Sequence, residues 1–336
     1  MATSTGTGPG SGPALADARW FACDLHVGHR AFHVLHVDEA VIERSSFLDS
    51  RIEAPLDQAV AVEAAAIGAL PQAPIGWLFH TSFCASTLLA RVLHLAPHSV
   101  ALKEPLVLRR LADARHAGLA IDDLIAPAVR LLARPWHPGG AVVIKPTHVA
   151  LNVAADLLAA APASRAIVLT CSLDEFLISN LKKPPASQEK IPLLVERALH
   201  GTAFAARLPA AALAPPDLIC AAGLQWAAQR EHVVDVVAAI GAARVRVLDM
   251  ATLLADLPAV AVDTAGWLGL AIPPPALADH ARAEGARNAK ATATPYGTER
   301  RAFEAGIVVQ HFAGPLDHAR RWLDRHVLPT MRSAAK

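Results

Sequence analysis

The chain has 336 residues, a formal net charge of +1 and a hydrophobic content of 53%, much of it alanine. A chain of this length buries its core without covalent staples. Its four cysteines (Cys23, Cys84, Cys171, Cys220) form no CxxC pair, so neither a disulfide framework nor thiolate metal binding is expected, and a cytoplasmic location is. The near-neutral charge has no single-sign block, which argues against nucleic acid or an anionic membrane as main partner, and Asp, Arg or Pro interrupts every apolar run before membrane-spanning length.

In chain order, residues 1–18 begin MATSTGTGPGSG and read as a disordered tail, lacking the basic-then-apolar order of a signal peptide. Residues 19–336 read as one domain. Its first part, 19–55, is a β-rich lead-in, with WFACDLHV and RAFHVLHV flanking a turn at Gly28-His29 and FLDSRI following. The alanine-rich run 56–70 predicts a helix. Then a theme repeats: a short β-prone run, a polar loop, a helical stretch. Strands are expected at 76–80, 99–102, 141–144, 166–170 and 244–248, and helices at 86–95, 151–160, 173–183, 193–206 and 221–240. Residues 297–336 form a helical tail whose best amphipathic segment is LDHARRWLDRHVL. Strands alternating with helices mean parallel pairs closed by crossovers. The expected fold class is therefore α/β, three layers around a mostly parallel central sheet.

Open parallel sheets bind ligands beyond the carboxyl ends of their strands. Those places hold Thr81 to Thr87, Lys103-Glu104, Lys145, Cys171-Ser172 and Asp249. At the first, small residues let backbone N–H groups approach a phosphate, with Ser86 and Thr87 adding hydroxyls and Arg91 one turn further on. The plainer alternative is a strand-to-helix junction with Ser86 as N-cap. Glu104 is the candidate base, expected to have a raised pKa from burial near phosphate; His80 and His148 are the alternatives. His26, His29, His33 and His36 invite a metal reading, but on a hairpin alternate residues face opposite sides, and no metal is expected. Cys84 is read as a small packing residue rather than a thiolate, and Trp226 as packing a core helix.

The stretch GWLFHTSFCASTLLARVLHLAPHSVALKEP resembles the bacterial sulfotransferase-like branch of the P-loop fold. The resemblance continues through VVIKPTHVALN and RAIVLTCSLDEFLISNLKK, and more weakly through FLDSRI and NAKATATPY. It implies a P-loop nucleoside triphosphate hydrolase-like fold of sulfotransferase type and a donor, 3′-phosphoadenosine 5′-phosphosulfate. The donor's 5′-phosphosulfate would lie on Ser82, Phe83, Cys84, Ala85, Ser86 and Thr87, and its 3′-phosphate near Ser179. The acceptor would be a hydroxyl or amine of a small molecule or glycan, in a pocket drawn from residues 105–140 and 184–220.

Two cations of the family pattern are replaced, by Phe83 in the loop and by Cys171 ahead of the serine. Candidate substitutes are Lys145, which would share the catalytic work with Glu104, then Lys182 and Lys183 beyond Ser179, and more weakly Arg287 and Lys290. Two other readings remain open at this stage: an ATP-dependent phosphotransferase on the same fold, and a P-loop homologue that has lost its cations and serves as a binding module.

Overall fold

Residues 13–287 and 297–332 are described by the computed structural model. A small antiparallel sheet comes first: β1 (Trp20–His26) and β2 (Ala31–His36) form the expected hairpin, and β3 (Val60–Glu63) adds to β2. The central sheet follows, with β4 (Ile75–His80), β5 (Ser99–Lys103), β6 (Ala141–Lys145), β7 (Arg165–Thr170) and β8 (Val245–Asp249). Its order is β5-β6-β4-β7-β8, and every neighbouring pair is parallel. The α/β fold class read from the sequence is the one observed.

These strands are near-continuous apolar runs because both faces are covered. Trp77, Phe79, Val100, Leu102, Val142, Ile144 and Val168 enter one core, while Leu78, Ala101, Val143, Ile167 and Leu169 enter the other. That is the two-residue period of a pleated strand. The first core is closed by the hairpin and by helices Leu106–His116 and Asp122–Leu132, the second by Ser86–Val92, Leu173–Leu181, Leu218–Ile240 and Ala313–His326. Because β4 lies between β6 and β7, the chain switches direction across the sheet at the carboxyl end of β4. A crevice opens at such a point.

The helix expected over 56–70 is not there. That run holds two single 3-10 turns (Leu56–Gln58 and Ala64–Ala66) around β3, whose Val60 to Glu63 pair with Val34 to Ala31. An edge of β2 was available for pairing, and alternating Val60 and Val62 suit a strand better than alanine content suits a helix. The helix expected over 193–206 is Ile191–His200, ending at Gly201. The stretch 151–160 begins as 3-10 (His148–Val153) before Ala154–Ala160.

Of the expected tail, residues 13–18 are described, and turns there are tied down by Arg134. This buried guanidinium, 1% exposed, donates to the carbonyls of Leu131, Leu15, Asp17 and Trp20 at 2.7–2.9 Å. Among the described residues, no helix is long and apolar enough to cross a membrane.

Candidate functional site

At the carboxyl end of β4 the chain leaves the sheet as Thr81-Ser82-Phe83-Cys84-Ala85 and enters the helix Ser86–Val92. Among the described residues, four non-glycine residues have φ between +51° and +63°, and three of them, Phe83, Ala85 and Glu104, border this crevice. Each such residue costs on the order of 1–3 kcal/mol, so the surroundings must enforce it. The enforcement is visible. Ser82 N–H donates to Gln229 Oε1 at 2.9 Å and Gln229 Nε2 to Ser82 Oγ at 3.0 Å, while the Cys84 thiol donates to the Thr81 carbonyl at 3.0 Å.

Left-handed residues alternating through such a loop turn successive N–H groups to one side, a concavity suited to an anion. Among the described residues, the N–H groups of Phe83 and Ala85 have no protein acceptor. Ser86 is not the N-cap that the plainer reading requires: Ala85 holds that position, and no side chain caps the helix.

The loop floors a cleft of about 700 Å³. One end carries Ser179, Lys182 and Lys183 from the end of Leu173–Leu181, with Ser187 and Lys190 beyond. The other carries Glu104, Arg109, Thr147, His148, Phe47 and Arg51. Lys182 is paired with Glu304 at 2.5 Å. Lys183 and Lys190 have no carboxylate partner among the described residues. The Lys183 ammonium stands 5.5 Å from the centroid of Phe83, whose ring rests edge-on against Phe176 at 5.2 Å. An aromatic face holds a cation there, so Phe83, itself no cation, props up a lysine.

Cys171 donates its thiol to the Ser82 carbonyl at 3.4 Å and gives its own carbonyl to Trp226 Nε1 at 2.9 Å. It supports the loop from below. Burial pushes the Cys84 thiol up to about 11, so it is a packing thiol and not a thiolate.

Lys145 does not line the cleft. Its side chain is 1% exposed, and its ammonium donates to Glu104 Oε1 at 2.5 Å. This corrects the expectation for Glu104. Burial alone would raise its carboxyl, but the Lys145 charge, with help from His80, outweighs that and holds it down at about 2. His80 donates from Nδ1 to the Thr81 carbonyl at 2.9 Å, with Nε2 3.9 Å from Glu104, and burial plus the Lys145 charge lower it to about 3. His148, whose ring centroid lies 6.4 Å from that of His80, is lowered to about 4, mainly by burial, with Glu104 opposing.

Arg91, also expected here, points elsewhere: it forms an ion pair with Glu284 at 2.5 Å and does not line the cleft. Lys290 lies outside the described residues. Arg287 pairs with Glu284 as well, at 3.5 Å. Asp249 caps the helix Met250–Ala255, accepting from Ala251 N–H at 2.8 Å.

Several site residues carry no mark in the sequence. Gln229 sits mid-helix in Leu218–Ile240, and Arg109 and Lys190 are ordinary surface charges by pattern. Phe47 and Arg51, with the guanidinium 3.9 Å over the ring, fall in the FLDSRI segment. Among the described residues, the ligand atoms that converge as a metal could use them belong to Asp217, Cys220 and His318, not to His26, His29, His33 and His36.

No protein-family model matches the chain, and no curated protein matches it. Among solved structures it is similar to a sulfotransferase from Alicyclobacillus acidocaldarius, with 15% identity over 79% of this chain and 100% of that one and a TM-score of 0.38. A sulfotransferase domain from the curacin biosynthetic pathway gives 14% over 77% and 98%, with a TM-score of 0.40. A sulfotransferase from Mycobacterium tuberculosis H37Rv gives 16% over 75% and 78%, with 0.30.

Proposed function

We propose that the cleft binds 3′-phosphoadenosine 5′-phosphosulfate and that the protein transfers its sulfuryl group to a hydroxyl or amine of a small-molecule or glycan acceptor. One observation carries the reading: the strained loop 82–87, whose Phe83 and Ala85 N–H groups have no acceptor among the described residues, lies in the same cleft as Ser179 and two lysines without carboxylate partners among them. A ligand with anionic groups at both ends would span it. The donor supplies a sulfur open to in-line attack and a phosphate as leaving group, and what the chain must add is position and charge.

Each residue then has a definite task. The N–H groups of Phe83 and Ala85 and the hydroxyls of Ser82, Ser86 and Thr87 hold the 5′ end, with Cys84 packing the loop from within. Ser179, Lys182 and Lys183 hold the 3′ end. Lys145, fixed beneath the loop, adds positive potential there and keeps Glu104 ionised. A carboxylate so acidic is a poor base, so the acceptor's proton goes to His148 on the cleft wall, and the Glu104 charge favours the imidazolium that forms. A donor's negative charge nearby raises the imidazole pKa toward neutrality. Arg109 and Arg51 stand at the acceptor end.

The test is saturable thermal protection by adenosine 3′,5′-bisphosphate, lost in Ser86→Ala and Ser179→Ala. Absence of binding at millimolar concentration would defeat the reading. Magnesium-dependent ATP hydrolysis would favour a phosphotransferase instead, although the strand-end Asp249 is committed to capping. Donor binding without transfer of radiolabelled sulfate to any of a broad acceptor panel would leave a binding module.

A further inference from the structure

Beside His148 lies a second, small space of about 20 Å³. One water needs roughly 10–15 Å³ by this measure. His148, Asn152 and Arg197 line the space, and each brings a buried polar atom without a partner among the described residues: His148 Nε2, Asn152 Oδ1 and Arg197 Nε. The orientation of two of them is fixed from outside. Asn152 Nδ2 donates to the Ala112 carbonyl at 2.9 Å, which turns Oδ1 the other way, and Arg197 pairs with Asp113 through a terminal nitrogen. A buried polar atom left unpaired is costly, and three of them around a water-sized space point to one remedy.

We infer that this pocket binds one water molecule, bonded to Arg197 Nε, Asn152 Oδ1 and His148 Nε2, and that Asn152 and Arg197 act through it as positioning residues for His148. The second half rests on the sulfuryl-transfer reading. The hydrogen count is specific. Arg197 Nε–H donates to the water, and the water donates to Asn152 Oδ1. The remaining lone pair of the water accepts Nε2–H of His148, which leaves Nδ1 as the basic nitrogen. In the transfer step the acceptor's proton moves to Nδ1 as its oxygen lone pair bonds to sulfur. The sulfur–oxygen bond to the leaving phosphate breaks, and its electron pair stays on the phosphate.

Other groups act on the same imidazole. Glu104 favours its charged form, whereas Arg109, Lys145 and Arg197 oppose it; His80 stands near its ring and His232 lines the same pocket. Gln229, which grips Ser82, lines the pocket as well. One bound water would thus stand behind both the proton acceptor and the phosphate loop.

The experiment is imidazole NMR on the full chain labelled with ¹⁵N-histidine, the His148 signals being assigned by their loss in His148→Gln. The expected wild-type state is the Nε2–H tautomer. Asn152→Ala removes the final acceptor and should shift the His148 titration to lower pH, whereas Asn152→Asp places a carboxylate there and should shift it up by roughly one unit or more. A residue with a purely structural role would not move the titration in opposite directions. An Nδ1–H tautomer, or variants that shift together or not at all, would overturn the positioning role.

A high-resolution crystal structure of the wild-type chain tests the site even if the variants do not fold: one water within hydrogen-bond distance of all three atoms is expected, and a dry pocket overturns the inference. Binding of adenosine 3′,5′-bisphosphate to the wild type, measured alongside, separates the two claims. Its absence counts against the transfer reading while the water and tautomer stand, and normal binding with the wrong tautomer defeats this inference alone.

Discussion

Replacing Lys145 by methionine would strip the Glu104 carboxylate of the ammonium it meets at 2.5 Å, in a place where the lysine side chain is 1% and the glutamate 16% exposed. The magnitude follows from the carboxyl itself, which lies at about 2 in the folded chain against an ordinary 4.5. Two and a half units at 1.36 kcal/mol each is about 3 kcal/mol, within the ~3–5 kcal/mol that breaking a buried ion pair costs. The sign runs as it does for any depressed carboxyl: the stabilisation is complete above pH 4.5 and is lost as pH falls from there toward 2. In Lys145→Met the dependence reverses. Burial now raises the Glu104 carboxyl, so protonation relieves the variant, and its deficit should shrink between pH 8 and pH 5. Urea unfolding at the two pH values measures this. The double variant Lys145→Met/Glu104→Gln, which leaves no stranded charge, should recover to within about 1 kcal/mol of wild type. A single-variant deficit under about 1 kcal/mol at pH 8, or a double variant as unstable as the single, would refute the reasoning.

Lys183→Ala should weaken binding of adenosine 3′,5′-bisphosphate about tenfold by calorimetry, the loss expected for one charge-assisted contact, with a smaller effect in high salt. Acid should destabilise the fold well above the carboxylate range. His80, His94 and His148 are held neutral by burial, at about 3, 4 and 4. Their contribution is therefore complete above pH 6.5 and is lost as pH falls below it, at up to ~1.4 kcal/mol per unit and group. Urea midpoints between pH 7 and 4 check this, and His94→Gln should flatten the slope. Arg134→Met abolishes bonds to four carbonyls, Leu131 at the end of the helix Asp122–Leu132, Leu15 and Asp17 in the N-terminal turns, and Trp20 at the start of β1. It should cost about 3 kcal/mol and open the segment near Leu15 to limited proteolysis, which mass spectrometry of the cleaved ends would locate.

The central sheet was legible because its strands are buried on both faces and so read as unbroken apolar runs set off by polar loops. The stretch 56–70 was not. Its residues are mostly exposed, and pairing with β2, a partner distant in sequence, decided its conformation over alanine's helical preference. The same contrast holds at the site. Strand-end position alone located the loop, Glu104 and Lys145, but it could not show that the last two neutralise each other, because that depends on β5 and β6 lying side by side. Arg91 was placed by helical spacing, and a glutamate almost two hundred residues away claims it. Gln229 had no signal at all, since a polar residue mid-helix looks the same whether it faces solvent or holds a loop. By the sulfotransferase resemblance alone, Phe83 reads as the loss of a loop lysine. In the folded chain that ring carries Lys183.

The central claim is that the cleft takes the adenosine bisphosphate part of a sulfuryl donor, and a crystal structure of the protein soaked with adenosine 3′,5′-bisphosphate tests it most directly. The predicted result is one molecule spanning the cleft, its 5′-phosphate on the N–H groups of Phe83 and Ala85 and its 3′-phosphate within reach of Ser179 and Lys183. An empty cleft at millimolar ligand, or a molecule bound elsewhere, would contradict the account.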